Sequence, residues 1–318
     1  MRQWIGAALL TVFVGVFLTM TLLSAWDIHM AAFLFVLAMA VLASISIIGI
    51  LRGVPRLETS YAFMSKAAML DFITVFTGGV ITYGLAAFIG VNAVLASGLV
   101  GVLAALLVKP YAVAIFCGSF IGMSSPELLS FPNFLVAAFI ASILFVLTKD
   151  VFNGVGGKLG TIALSGVFIA CALFDLPFLV SGTLDRALIG WIILFSVAGA
   201  TLSNVLNIRL SQGAVLGSAV VGVLFGGFLP LLFDTGGYTL AVVGFGASFA
   251  GMASREYLGH ELWTGLSGVV FALLFIYSAQ SFGGVGGKLG TIAFASTLSM
   301  AGLSYFLSFL RRKVVQLR

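Results

Sequence analysis

The sequence predicts an all-α polytopic membrane protein of about twelve membrane segments, and composition, an unbroken series of apolar stretches and an internal duplication all lead there. Of its 318 residues, 61% are hydrophobic and 8% are charged, a balance foreign to a water-soluble domain of this size. A hydrocarbon layer of roughly 30 Å takes about 20 helical residues per crossing. A closed β-barrel also satisfies its backbone in lipid, but it requires alternating apolar and polar residues, whereas Ile5 to Ala25 is continuously apolar.

The first stretch, 5–25, follows Arg2 in the manner of a signal peptide, but it is too long for a signal core and a second stretch, 30–51, follows it closely. Both are read as crossings. After a basic loop holding Arg52, Arg56 and Lys66 come 68–89, 91–108, 111–125, 133–148 and 159–175. The remaining segments are 187–206, 212–233, 238–252, 261–279 and 289–309. Two of them, 111–125 and 238–252, are short enough to be tilted, broken or re-entrant.

Basic residues collect in cytoplasmic loops, so Arg311, Arg312, Lys313 and Arg318 place the C-terminus inside. Counting back through twelve crossings puts Arg2, the Arg52–Lys66 loop, Lys109, Lys149, Lys158, Arg209 and Arg255 on the same side, with Arg186 and Lys288 outside. The expected location is a bacterial plasma (inner) membrane with both termini cytoplasmic. The net charge of +5 comes from the ends of apolar runs and not from a basic patch among exposed aromatics, so nucleic acid is not a partner. Cys117 and Cys171 lie inside apolar runs and form no disulfide or metal pattern.

The duplication is the strongest signal. Residues 152–163, FNGVGGKLGTIA, recur as 282–293, FGGVGGKLGTIA, with Asn153 against Gly283 the single difference. Upstream, 93–103 matches 214–224, and Ser119-Phe-Ile-Gly-Met123 matches Ser248-Phe-Ala-Gly-Met252. The chain thus divides into two leading helices and a loop (1–67), repeat A (68–183), repeat B (187–309) and a basic tail (310–318). Five crossings per repeat is an odd number, so the second copy is expected in inverted topology; four per repeat, with the short segments re-entrant, would make the copies parallel. In having two homologous halves, the organisation resembles that of urea channels and other repeat-built transporters. None of their signature motifs matches here, so the resemblance carries over no residues.

Within the repeated string, Gly154 to Thr161 and Gly284 to Thr291 each hold four glycines and a lysine immediately before an apolar helix. Converging backbone N–H groups, a helix N-terminus and a lysine favour an anion. The expected binding residues are therefore Lys158, Lys288, Gly156, Gly157, Gly286, Gly287, Thr161 and Thr291, joined by Ser119 and Ser248 from the short segments. The competing reading gives the glycines to turns and close helix packing and lets the lysines reach the headgroups. A phosphate-binding loop would need Ser or Thr directly after the lysine, where Leu159 and Leu289 stand instead.

Asp71, about three residues into its predicted helix, is the candidate for ion coupling; a first-turn acid also suits the helix dipole. Asp175, before Pro177, reads as a helix exit. His260-Glu261 lacks the second histidine of a zinc-protease motif, since Thr264 stands four residues on. Glu256, His260 and Glu261 are read as a solvated turn, and His29 lies in an external loop.

No metal site, cofactor or enzymatic activity is expected. The expected function is a secondary carrier or facilitated permease for a small anionic solute, working by alternating access. A lipid-phosphate-handling protein or flippase and a solute channel are the alternatives. Its partners would be the bilayer and the solute, with a homo-oligomer left open.

Overall fold

The computed structural model describes residues 1–54, 62–180 and 184–316, with 314–316 described by backbone alone. Arg56, Arg318 and the end of repeat A at 183 lie outside the described residues.

The described residues form twelve α-helices where apolar stretches predict them. They are α1 (Arg2–Ile28), α2 (Met30–Gly53), α3 (Lys66–Ala87), α4 (Ala93–Leu107), α5 (Ala112–Gly122) and α6 (Phe131–Thr148). These are followed by α7 (Lys158–Leu173), α8 (Ile189–Asn204), α9 (Ala214–Leu232), α10 (Gly237–Gly251), α11 (Glu261–Tyr277) and α12 (Lys288–Gln316). Side-chain caps start several of them: Ser65 accepts from Ala68 N, Asn92 from Leu95 N and His29 from Ala32 N. Helix α12 continues through Gln316, so the described part of the basic tail is helical.

Length separates these helices into two groups. Among the described residues, seven are long and apolar enough to cross a membrane: α1, α2, α3, α6, α9, α12 and α8 with its flanking turns (Arg186–Arg209). The chain is therefore an all-helical protein built for a membrane. The other helices are shorter, and α5, at 11 residues, extends only about 16 Å at 1.5 Å per residue.

Glycines set the packing inside each repeat. A Cβ on Gly118 of α5 would stand 1.9 Å from Val75 O of α3, and one on Gly199 of α8 would stand 2.0 Å from Gly244 O of α10. Small residues let helices touch backbone to backbone, as suits packing in lipid.

Between repeats the contacts are reciprocal. A Cβ on Gly160 of α7 would lie 2.3 Å from Gly290 Cα of α12, and one on Gly290 would lie 2.4 Å from Gly160 Cα. Gly157 meets Phe294 N, and its counterpart Gly287 meets Leu164 N, each at 2.3 Å. Gly98 of α4 and Gly222 of α9 face each other, and Leu95 N faces Gly226. Swapped contacts of this kind define a two-fold relation. In both pairs the residue numbers run oppositely, so equivalent helices pass one another antiparallel.

The leading hairpin lies against this pair of repeats. Gly6 of α1 packs on Leu147 and Thr148, and Arg2 forms an ion pair with Asp150. At the other end of α1, Ser24 Oγ lies 3.1 Å from Ser281 Oγ. Helix α2 follows α12, with Ser299 Oγ donating to Met39 O at 2.9 Å.

Gly118→Ala should cost about 1–3 kcal/mol of stability through overpacking, read as a lower unfolding temperature in detergent. Gly15, where an added Cβ would meet nothing within 4 Å, is the control: Gly15→Ala should leave that temperature unchanged or raise it slightly, since alanine favours helix by roughly 0.5–1 kcal/mol.

Candidate functional site

Both glycine loops follow one backbone path. Phe152, Gly154 and Gly157 have φ of 54°, 79° and 84°, and Phe282, Gly284 and Gly287 have 55°, 76° and 88°. Left-handed backbone is natural to glycine and strained for phenylalanine. The repeated string therefore encodes a shape, and that shape delivers the chain to the α7–α12 crossing.

The lysine after each loop closes the helix before it. Lys158 Nζ donates to Lys149 O at 3.0 Å, just past the end of α6, and to Asn153 Oδ1 at 2.8 Å. Lys288 Nζ donates to Ser278 O, Ala279 O and Ser281 O at 2.8, 3.3 and 2.6 Å, just past the end of α11. These carbonyls carry the partial negative charge of a helix C-terminus. An ammonium group has three protons, so the backbone takes the full donor capacity of Lys288. The expected direct grip of this amine on a solute gives way to a structural tie, which leaves its positive charge as a source of field.

The other glycines are points of close approach. A Cβ on Gly156 would lie 2.5 Å from Phe249 O, and one on Gly286 would lie 2.6 Å from Phe120 O. Ser254 N donates to Gly154 O at 2.8 Å and Ser125 N to Gly284 O at 2.9 Å. The end of each short helix, α5 or α10, thus docks on the loop of the other repeat.

Four phenylalanines gather where these docked ends meet. Phe120 and Phe249 have ring centroids 4.4 Å apart, while Phe116 and Phe245 complete the cluster at 6.3 Å from each other. Sequence reasoning misses them because a lone phenylalanine in an apolar run carries no signal. Their matched places in the two copies are the available clue.

The expected serines and threonines lie deeper. Ser119 Oγ donates to Phe116 O at 2.8 Å and lies 2.8 Å from Ser97 Oγ, so Ser97 is the donor between them. Ser248 repeats this with Phe245 O and Ser218. Thr161 and Thr291 are fully buried; Thr291 donates to Gly287 O, and the Thr161 hydroxyl has no partner.

A cavity of about 530 Å³ reaches this centre from the Lys288 loop. Gly283 to Gly290 form one wall, Ser124, Ser125, Tyr238 and Thr239 contribute hydroxyls, and Phe120 and Phe249 form the floor. Among the described residues, Lys288 is the one charged side chain on its lining. Of the ten expected binding residues, Gly286, Gly287 and Lys288 line it.

The equivalent mouth beside Lys158 carries different residues. Asn153 takes the place of Gly283, Lys149 that of Ala279 and Arg255 that of Pro126. Lys158 is 8% exposed, and the Ser254 hydroxyl is buried. Beside it in the same loop, burial and, to a smaller extent, Glu256 push the Tyr257 phenol up to about 12, so it stays neutral at ordinary pH.

The remaining predicted residues have structural partners. Asp71 is not in a first turn, because Ser65 starts α3 at Lys66; it is buried and ion-paired with Lys149. Glu261 pairs with Arg209, with Oε2 at 2.6 Å from Nη2, and His260 caps α11 by accepting from Leu262 N. Asp175 leaves α7 in left-handed backbone and lines a second cavity of about 390 Å³ with Phe168 and Cys171. Among the described residues, no group of three His, Cys, Asp or Glu could hold a metal ion.

Comparison with protein-family models, curated proteins and solved structures finds no match to this chain.

The two mouths should differ in reactivity. A cysteine at Ser125, on the cavity, should react with an impermeant maleimide at least about ten times faster than one at Ser254. Asn153→Gly, which makes the two loops identical in sequence, should narrow the gap by speeding the reaction at 254. Equal rates before that change would contradict the asymmetry.

Proposed function

We propose that the protein is a membrane transporter for a small anionic solute, working by alternating access between two inverted repeats. The observation that carries this reading is the cavity on the Lys288 side. It runs to the Phe120/Phe249 contact between repeats, while the equivalent approach beside Lys158 is occupied by Asn153 and a buried lysine. Two similar halves in unlike states are what an alternating cycle requires.

Inversion is supported by the antiparallel passage of α4 against α9 and of α7 against α12, since a two-fold axis that reverses a membrane-crossing helix lies in the membrane plane.

Anion preference rests on charge. Among the described residues the lining holds Lys288 and the first turn of α12 and no carboxylate, so its field is positive. With the Lys288 protons held by carbonyls and the Ser124 proton by Ile121 O, direct contacts to the solute fall to Ser125 and Thr239. The repeats would rock about the glycine crossing and the four rings, closing the Lys288 mouth as the Lys158 mouth opens. The basic loop pattern supports cytoplasmic termini, in keeping with the expected bacterial inner membrane.

Reconstituted into proteoliposomes, the protein should take up one or more small anions from a panel of inorganic anions and carboxylates. Lys288→Gln should lower that uptake at least about ten-fold, with the unfolding temperature recording whether the variant is folded. Coupling a bulky maleimide to a cysteine at Ser125 should also block uptake without any change at Lys288. Uptake of no anion, or uptake indifferent to both changes, would overturn the reading.

A further inference from the structure

We propose that repeat B holds a monovalent cation at Ser203, Asn204 and Thr264, a site that repeat A has lost to a pair of stacked rings. That this ion drives solute movement rests on the transport reading above; the binding site does not.

The equivalence of the two places follows from shared contacts. A Cβ on Gly122, at the end of α5, would meet Gly79 O, Thr82 Cβ and Tyr83 N at 2.6, 2.6 and 2.8 Å. One on Gly251, at the end of α10, would meet Ala200 O, Ser203 Cβ and Asn204 N at 2.3, 2.8 and 2.9 Å. Ser203 and Asn204 thus stand where Thr82 and Tyr83 stand in repeat A. The spacing that aligns Lys158 with Lys288 sets Phe134 against Thr264.

In repeat A this place is filled and satisfied. The Tyr83 ring stacks on Phe134 with centroids 4.2 Å apart, its hydroxyl donates to Leu129 O at 2.7 Å, and Thr82 donates to Gly78 O at 2.9 Å. In repeat B both rings are gone. The Ser203 and Thr264 hydroxyls are fully buried without a hydrogen-bond partner, and Asn204 is 4% exposed. Leaving such groups unpaired costs free energy that a bound ligand restores.

The chemistry of the place selects the ligand. Ser203 and Asn204 offer a hydroxyl and an amide oxygen beside the C-terminal end of α10, which carries partial negative charge, and the equivalence with the Tyr83/Phe134 stack sets the Thr264 hydroxyl against Asn204. Directly after Asn204, α8 widens into a π-turn at Val205–Arg209, a distortion that recurs at functional sites. Glu261, a neighbouring carboxylate, is engaged by Arg209. Oxygen ligands without a carboxylate suit a hard, singly charged ion; a divalent ion draws carboxylates, and soft metals draw sulfur or imidazole.

The test uses the full chain in detergent at constant ionic strength, comparing sodium chloride, potassium chloride and choline chloride. Choline's quaternary nitrogen is shielded by alkyl groups and takes no direct oxygen ligands. Sodium or potassium should raise the unfolding temperature saturably over choline, and radioactive sodium should bind the native protein saturably. The double variant Asn204→Tyr with Thr264→Phe rebuilds the stack of repeat A, so it should fold and lose both effects. Equal unfolding temperatures in the three salts, with no saturable sodium binding, would overturn the proposal and leave a buried water as the occupant. So would full retention of both effects in the folded double variant. Cation binding without uptake of any anion would defeat the transport reading and leave the site standing.

Discussion

The first turns of α7 and α12 lie backbone against backbone, and much of the rest of the protein is arranged around that contact. Gly160 and Gly290 remove the side chains that would hold the helices apart, and Gly157 and Gly287 let each incoming loop slip beneath the other helix. A side chain at any of these positions would sit within bonding range of main-chain atoms, so neighbouring side chains have no way to accommodate it. The closeness of the crossing brings the docked ends of α5 and α10 together. Their four phenylalanines then seal the centre.

Around this symmetric centre the two copies have diverged. One difference in a twelve-residue string, Asn153 against Gly283, gives Lys158 a side-chain acceptor and leaves Lys288 with main-chain carbonyls alone. The second divergence exchanges the stacked Tyr83 and Phe134 for Asn204 and Thr264. The leading hairpin adds a third asymmetry, because α1 reaches the loop of repeat A through Arg2 and Asp150 and the loop of repeat B through Ser24 and Ser281. One helix therefore touches both halves beside their glycine loops.

Helix positions were legible because an apolar stretch in lipid has few ways to satisfy its backbone, and polar breaks mark the ends. Boundaries set by side-chain caps were less so: Ser65 starts α3 early enough to carry Asp71 beyond the first turn and into a pair with Lys149. The lysines were found and their bonding was not. A Gly-Gly-Lys string before a helix reads equally as an anion cradle or as a helix-end clamp, and the choice depends on which carbonyls come within reach.

The sequence by itself determined that this is a helical membrane protein made of a duplicated unit, since hydropathy and repetition are properties of the chain read in order. Only the tertiary structure decided that the glycines serve a crossing, that Lys288 is held by the end of α11, and that its loop lines a cavity. The crossing and the cavity depend on groups a hundred or more residues apart meeting at hydrogen-bond distance, such as Ser125 with Gly284 and Ser254 with Gly154. Local pattern carries no record of that distance, and packing supplies it.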